Sequence, residues 1–280
     1  MSERGAIAAC LKWVDDHPDV DALTGAVHTD WRTSGASAAD AAALEWALRL
    51  GERWHRPVVA VTAGPVGADA LVRDALAVGA TAGVRADLVP GAASDEVAAA
   101  LAAVLPRPVD LVLCGVWSLD RGSGSVPAFL AAELDAVQAL GLVTLEPEDG
   151  QRAASLRGER RLDGGRRERV RIRLPAVCSV AGASARLRRA TFDAVVAGRG
   201  ATVAVAPVGR RRHDPPVRTG PFRPRAKELP APSSALSARE RILELTGSLG
   251  DREPPQTLVL DPPAAADELL ARLRSWGYLP

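Results

Sequence analysis

Short apolar runs alternate with helical periods through the first 135 residues, and that alternation restricts the fold more than any other feature. The runs fall at 6–14, 58–62 (VVAVT), 82–85 and 109–114 (VDLVLC). Between the first two lies 38–50, alanine-rich, with Leu44, Ala47 and Leu48 on one face. Between the second and third, 68–78 sets Leu71, Ala75 and Val78 at i, i+4 and i+7, with Gly79 as a C-terminal stop. Ahead of the fourth, Ser94 is placed to cap a helix whose Val97, Leu101, Val104 and Leu105 repeat at i, i+4, i+7 and i+8. Strands that are apolar throughout are buried on both faces, which requires helices above and below a parallel sheet. The expectation is an α/β chain with a three-layer, Rossmann-like core.

From about 138 the pattern changes. Strands are expected at 139–145 and 151–161 around a turn at Glu148-Asp149-Gly150, and Asp163-Gly164-Gly165 is a hairpin signal. RERVRIRL at 167–174 then alternates strictly, Arg167, Arg169, Arg171 and Arg173 on one face and Val170, Ile172 and Leu174 on the other. With AVCSV at 176–180, the stretch 138–181 reads as an antiparallel excursion from the parallel core. Residues 209–236, rich in Pro and Arg, read as a linker between an α/β domain at 1–208 and an arm at 237–280. The arm is expected to hold a short amphipathic helix at 237–247, a strand at 257–260 and a helix at 264–276. That last helix carries Leu269, Leu270, Leu273 and Trp276 on one face, with Gly277 as its stop, and needs a surface to lie on.

Several functions lack the residues they need. His17, His28, His55 and His213 are scattered without ligand spacing and read as surface or loop residues, while Cys10, Cys114 and Cys178 form no CxxC pair. HExxH, GxSxG and GxxxxGK(S/T) are missing, and Gly122-Ser123-Gly124 runs into SVP and so fails GxGxxG. No nucleophile is matched with a base, so catalysis by the chain's own residues is not expected, nor is a metal site. No apolar run reaches the roughly 18 residues of a membrane span. The start MSERGAIAAC does not read as a signal peptide, and a cytoplasmic location is expected. The near-zero net charge of +1 conceals a split: 10 basic and 21 acidic residues in 1–150, against 20 basic and 6 acidic in 151–230. Such asymmetry suggests surfaces built to meet something. That only Lys12 and Lys227 are lysines reads as a coding bias toward arginine.

The chemistry-bearing stretch is Cys114-Gly-Val-Trp-Ser-Leu-Asp-Arg-Gly-Ser-Gly-Ser-Val126, which follows the fourth run. In open α/β sheets ligands sit beyond the strands' carboxyl ends, where small residues and free N–H groups at a helix start attract phosphate. Ser123 is placed to cap the next helix. The plain alternative is a Ser/Gly strand-to-helix turn. Thr62-Ala63-Gly64-Pro65 is a second small-residue turn on the same sheet edge, with a tight turn as its alternative.

Seven segments in order resemble the β subunit of electron transfer flavoprotein. They are CLKWVDD (10–16), ALEWALRL (43–50), VTAGP (61–65), VRDALAVGA (72–80), DLVLCGVWSLDRGSGSV (110–126), LDGGRRERVRIRLPAV (162–177) and LRRATFDAVVAGR (187–199). The tail from Arg252 to Leu279 resembles that subunit's C-terminal arm. The resemblance implies an adenine-nucleotide-binding fold in a non-catalytic electron carrier. It would pair with an FAD-bearing α subunit, accept electrons from dehydrogenases and pass them to a membrane quinone-reducing acceptor. It also implies a structural AMP in this chain, or a flavin there in the bifurcating branch. Carried over by position, the nucleotide meets Cys10, then Ser37, Ala38, Ala39 and Asp40, then Ala63. The main loop follows as Gly115, Val116, Trp117, Ser118, Leu119, Asp120, Arg121, Gly122 and Ser123. Leu187, Arg188 and Arg189, with Phe192 as apolar anchor, match the segment that recognises partner dehydrogenases; the plain alternative is a surface helix start with one buried Phe.

The chain departs from the family's usual pattern at several positions. Ser37-Ala38 stands for Asn-Pro, Trp117 and Ser125 for Gln, Thr81 for Asp, and Leu187-Arg188-Arg189 for Pro-Arg-Tyr. The departures leave AMP, FAD or an empty site open. They point to donors other than acyl-CoA enzymes and to a likeness with the branch that accompanies mycofactocin. Two other readings stand beside the electron carrier. A stand-alone adenine-nucleotide sensor would need the 115–123 loop but not the arm. Nucleic-acid binding through the arginine stripe and Arg210–His213 is disfavoured by the acidic first half and by Phe192 and Phe222 being the only aromatics of the basic segment.

Overall fold

A computed structural model of the chain describes residues 5–148, 155–209, 231–246 and 257–279. The chain divides into two compact units, Met1–Pro221 and Phe222–Pro280.

In the first unit the opening apolar run is not one strand. β1 (Ala6–Cys10) is wholly buried, and the chain then turns out of the sheet. β2 (Trp13–Asp15) leads through a small hairpin of β3 (Asp19–Val20) and β4 (Val27–His28) to β5 (Ser34–Ala36), which pairs antiparallel with β2. The cause of the break is charge: a sheet sandwiched between helices has no place for Lys12 or for the acidic pair Asp15 and Asp16. α1 (Ala38–Trp54) runs past its expected end at 50 and stops at His55, whose φ of 52° is left-handed. β6 (Val58–Gly64), α2 (Asp69–Ala77), β7 (Ala82–Asp87), α3 (Ser94–Val104), β8 (Val109–Gly115) and α4 (Val126–Glu133) continue the alternation. Gly79 stops α2 as expected, at φ +119°. Ser94 does not cap α3; it is the helix's first residue, and Ala93 stands at the cap without a side-chain bond.

The excursion begins with β9 (Val137–Pro147), β10 (Ser155–Arg161) and β11 (Arg167–Arg173), paired antiparallel in that sequence. AVCSV is a correction. As β12 (Ala176–Val180) it inserts between β8 and β9, parallel to both, and every residue of it is buried. Five consecutive apolar or small residues fit a strand covered on both faces, and so belong to the core. α5 (Phe192–Arg199) and β13 (Ala204–Pro207) complete a nine-stranded sheet of order β11-β10-β9-β12-β8-β1-β6-β7-β13. The strands from β9 to β13 in that order run parallel.

Alternate residues of the central strands feed opposite layers. Ile7, Ala9, Leu111 and Leu113 pack with Leu44, Leu48, Leu71 and Ala75 of α1 and α2. Ala8, Cys10, Val61, Val112 and Cys114 pack with Ala98, Leu101, Leu130 and Ala131 of α3 and α4. The first layer continues under the excursion through Leu142, Leu145, Leu156 and Ile172. The outer face of the excursion carries the arginine stripe, with the shielded carboxylates Glu148 and Glu159 each between two arginines, Arg157 and Arg171 for one and Arg167 and Arg169 for the other.

In the second unit, α6 (Ala238–Leu245) has a capping box between Ser237 and Glu240, and α7 (Pro262–Ser275) is capped by Asp261. No strand forms at 257–260. Among the described residues of this unit no other extended run stands ready to ladder with it. Most of the linker, 210–230, lies outside the described residues, as do 149–154 at the start of the expected second excursion strand. Among the described residues no helix is long and apolar enough to cross a membrane.

Candidate functional site

The strand order reverses beside β1. The chain passes from β1 to β6 and β7 on one side, then returns to place β8 on the other, so β1 and β8 flank a switch point where a crevice opens at the carboxyl ends. Cys10 and Cys114 are in register there, as are Cys10 and Val61. The predicted residues Cys10, Ser37–Asp40, Ala63 and Gly115 therefore converge on one edge, although they are spread over more than a hundred positions of sequence.

The start of α1 fits this edge closely. Ser37 caps the helix, its Oγ accepting from the Asp40 N–H at 3.1 Å and donating to Asp40 Oδ2 at 3.0 Å. Ala38 backs onto Gly182, where a Cβ would come within 3.1 Å, and Ala39 is buried. Asp40 is buried too, and its carboxylate also accepts from the Lys12 N–H at 3.3 Å and from the Gly115 N–H. Burial pushes its pKa up to about 6, against the hydrogen bonds from Ser37, Lys12 and Gly115. Gly115 is a glycine by necessity: a Cβ would lie 2.6 Å from Asp40 Oδ1.

The loop from Val116 leaves β8 with the Val116 N–H bonded to Val180 O at 3.0 Å. Trp117 and Leu119 stand exposed, and Ser118 O accepts the Gly122 N–H at 2.8 Å. Arg121 donates to Gly91 O at 2.6 Å, tying the loop to the turn before α3. Gly124, at φ +60°, sits where a Cβ would strike Val116 O at 2.5 Å. At Gly115 and Gly124 the missing Cβ lets the chain's own atoms close in, so that the loop packs tightly against the start of α1 and against itself. Ser123 does not cap α4. Its Oγ lies 3.0 Å from Ser125 Oγ, Ser125 holds the cap position, and no side chain bonds the first N–H groups of the helix. Ser125 has a helical backbone, and that conformation turns its hydroxyl away from them. A cleft of about 350 Å³ adjoins the site between the β2–β5 ribbon and Leu119, with Ser37, Asp16, His17 and Arg32 in its wall.

Lys12 completes the arrangement, and motif carry-over did not single it out. Its Nζ lies 2.5 Å from Asp120 Oδ1 and 3.4 Å from Ser118 Oγ, closing the loop over the end of β1. The signal was its place in CLKWVDD directly after an apolar strand; its partner is 108 residues away and only the fold shows it. Arg85 was missed likewise. Buried near the end of β7, it bonds Asp69, Asp87 and Gly64 O, bracing the turn after β6. Because the Lys12–Asp120 pair is half exposed, Lys12→Ala is expected to cost less than about 1 kcal/mol of stability in urea melts. The same change should speed amide exchange across 116–122 by up to about fivefold.

Cys10, Cys114 and Cys178 are free and buried. A hydrogen bond to Cys10, together with burial, pushes the Cys114 thiol well up, and burial pushes Cys178 to about 12. Both stay protonated thiols at neutral pH. No cluster of three or more His, Cys, Asp or Glu suited to a metal occurs among the described residues.

At a second location, Arg188 is pinned to α1. Its N–H and Nε bond Glu45 Oε2 at 3.0 and 3.1 Å, and its guanidinium also meets Glu52. Leu187 packs against the core while Arg189 is exposed. Phe192 opens α5 behind the Thr191 cap and is 80% exposed, so it is not a buried helix-start residue.

The Electron transfer flavoprotein domain family model matches residues 27–208, which span β4 to β13 and contain the loop and most of the residues just described. The human electron transfer flavoprotein subunit beta is 36% identical over 143 residues, covering 48% of this chain and 53% of that protein. The bovine subunit is 35% identical over 144 residues, with the same coverage. Protein FixA of Azotobacter vinelandii is 34% identical over 133 residues, 45% of this chain and 47% of that protein. The chain spans about half the length of the curated relatives it matches. With the match running through nearly the whole described sheet and its switch-point edge, the chain belongs to the electron transfer flavoprotein family.

Proposed function

We propose that the chain is the β-type subunit of a heterodimeric electron transfer flavoprotein. In this reading it carries no catalytic residues of its own and holds an AMP at the β1–β8 switch point. It pairs with an α-type subunit whose FAD supplies the electron-accepting chemistry. The observation that carries the reading is the family match together with relatives named as beta subunits. The site geometry supports the AMP. The Gly- and Ser-rich loop 115–124 leaves β8 at the switch-point edge, the Val126 N–H at the start of α4 has no side-chain cap, and Lys12 stands beside the loop, paired with Asp120. Electron carriage fits a chain with no matched nucleophile and base, because it requires close approach of cofactors and not proton chemistry at a side chain.

In the same proposal, residues 209–236 link the nucleotide domain to an arm that packs on the partner. Leu187, Arg188, Arg189 and Phe192 meet donor dehydrogenases, with Phe192 exposed as an apolar anchor. The donors are dehydrogenases other than acyl-CoA enzymes, in the branch that accompanies mycofactocin. The acceptor is a quinone-reducing membrane protein, and the location is cytoplasmic. Anaerobic titration with a chemical reductant tests electron carriage. The pair of subunits should take up electrons at the flavin absorbance and pass them to a dye acceptor, and this chain alone should take up none. A pair that takes up electrons but cannot pass them on contradicts the reading.

A further inference from the structure

We propose that Asp40 is the positioning carboxylate of the nucleotide site: one buried charge that holds the exit of β1, the start of α1 and the end of β8 in a single geometry, so that neutralising it loosens the 115–123 loop. The proposal rests on the nucleotide reading for its ligand arm only. Three donors converge on this side chain: Ser37 Oγ at 3.0 Å from α1's cap, the Lys12 N–H at 3.3 Å from β1's exit, and the Gly115 N–H from β8. Of the three only Ser37 Oγ, a hydroxyl, can also accept. A protonated carboxyl could donate to Ser37 Oγ but would accept more weakly from the two backbone N–H groups, so the set of partners favours the carboxylate. The absence of a Cβ at Gly115 allows the approach.

Burial opposes that choice. The competition puts the pKa at about 6, where mild acid neutralises the group. The titratable groups around Asp40 are few. Lys12 stands at the exit of β1 with Asp120 of the loop on its ammonium, and Cys10 and Cys114 stand on β1 and β8. The rest of α1's first turn and the Gly182–Ser184 turn bring no charge.

The sign of the stability effect separates positioning from mere support. The folded pKa lies above the ordinary 3.8, so between about pH 4 and 6 the folded chain holds more protons than the unfolded one. Stability therefore falls as pH rises through that window, and above it the fold bears the full cost of a buried charge. A carboxylate kept under those terms is expected to serve the site at the expense of stability.

The test compares the full chain with Asp40→Asn at pH 7.5 and 5.0. It uses calorimetry, amide exchange corrected for intrinsic rate at each pH, and AMP as titrant. At pH 7.5 the variant should melt higher than the wild type, and the two should converge at pH 5.0. Exchange across 115–123 in the variant should be about tenfold faster at pH 7.5, and the wild type should lose the same protection on going to pH 5.0. AMP should bind about tenfold more weakly wherever the loop is loosened. Loop exchange in the wild type that is indifferent to pH overturns the proposal, and this arm needs no variant to fold. A variant that melts lower with protection lost evenly across the sheet also overturns it, since that marks a purely structural group. If AMP binds the wild type at neither pH while the loop still responds, the positioning role stands and the nucleotide reading falls.

Discussion

Gly115→Val is expected to abolish nucleotide binding and to cost about 3 kcal/mol of stability, the upper part of the range for overpacking a close-packed site. The new Cβ would meet Asp40 Oδ1 at 2.6 Å, Ala39 Cβ at 3.0 Å and the Asp40 backbone N at 3.1 Å. Of these only the carboxylate is a side-chain end that could swing, and it already holds three donors. The backbone of α1's first turn cannot retreat without breaking the Ser37 cap and the contact of Ala38 on Gly182. Gly122→Ala is the matched control. Gly122 also lies in the loop, at φ +66°, but nothing stands within 4 Å of its Cβ position. It should cost only the left-handed strain of about 1 kcal/mol and weaken AMP binding far less than Gly115→Val does. Urea melts and calorimetric titration with AMP read both. Equal effects from the two variants would mean that Gly115 is not a close-approach position.

Glu45→Ala has the second-largest expected effect, about 2 kcal/mol, because it removes the one carboxylate that Arg49 and both the N–H and guanidinium of Arg188 share. Glu45 is 4% exposed and receives Arg49 from its own helix and both the N–H and guanidinium of Arg188. Burial alone would raise its pKa, but the hydrogen bonds from Arg188 and Arg49 outweigh it and hold the carboxyl below its ordinary 4.5. A lowered folded pKa contributes stability that is present above that ordinary value and lost as pH falls through the folded one. The penalty of Glu45→Ala should therefore be largest at neutral pH and shrink in acid. Removing Glu45 also releases the segment that leads to Arg189 and Phe192, and amide exchange at 185–191 should rise with the loss of stability. A variant as stable as the wild type at pH 7, with 185–191 still protected, would mean that the Arg188 tie does not hold that segment.

What the sequence disclosed and what it concealed divide along physical lines. Strands buried on both faces and helices with a clean 3.6 period were legible because each is a local pattern. β6, β8, α1 and α2 fall at or within a few residues of the expected positions. The direction of β12 was not legible, because five small or apolar residues read alike in a parallel or an antiparallel ladder. The break after Cys10 was concealed by a hydrophobic run that continues through Leu11, Trp13 and Val14 although the strand does not. Capping at Ser94 and Ser123 failed for one reason: Ser is favoured at several positions near a helix start, and residue type alone cannot tell a cap from its neighbour. Of the candidate site, the loop and the start of α1 were found as motifs. The Lys12–Asp120 and Arg85–Asp69–Asp87 ties were not, since each pairs residues that only the sheet brings together.

The central claim is that this chain works as one half of a flavin-bearing pair. The most direct measurement is to co-express it with the electron transfer flavoprotein α subunit of the same organism and purify by a tag on this chain. The visible spectrum, the subunit ratio and the nucleotides released on denaturation are then recorded. The account predicts a yellow one-to-one complex that releases FAD and AMP. A colourless chain that purifies without the α subunit and releases only an adenine nucleotide would contradict it, and would make the protein a stand-alone nucleotide-binding regulator built on the same sheet.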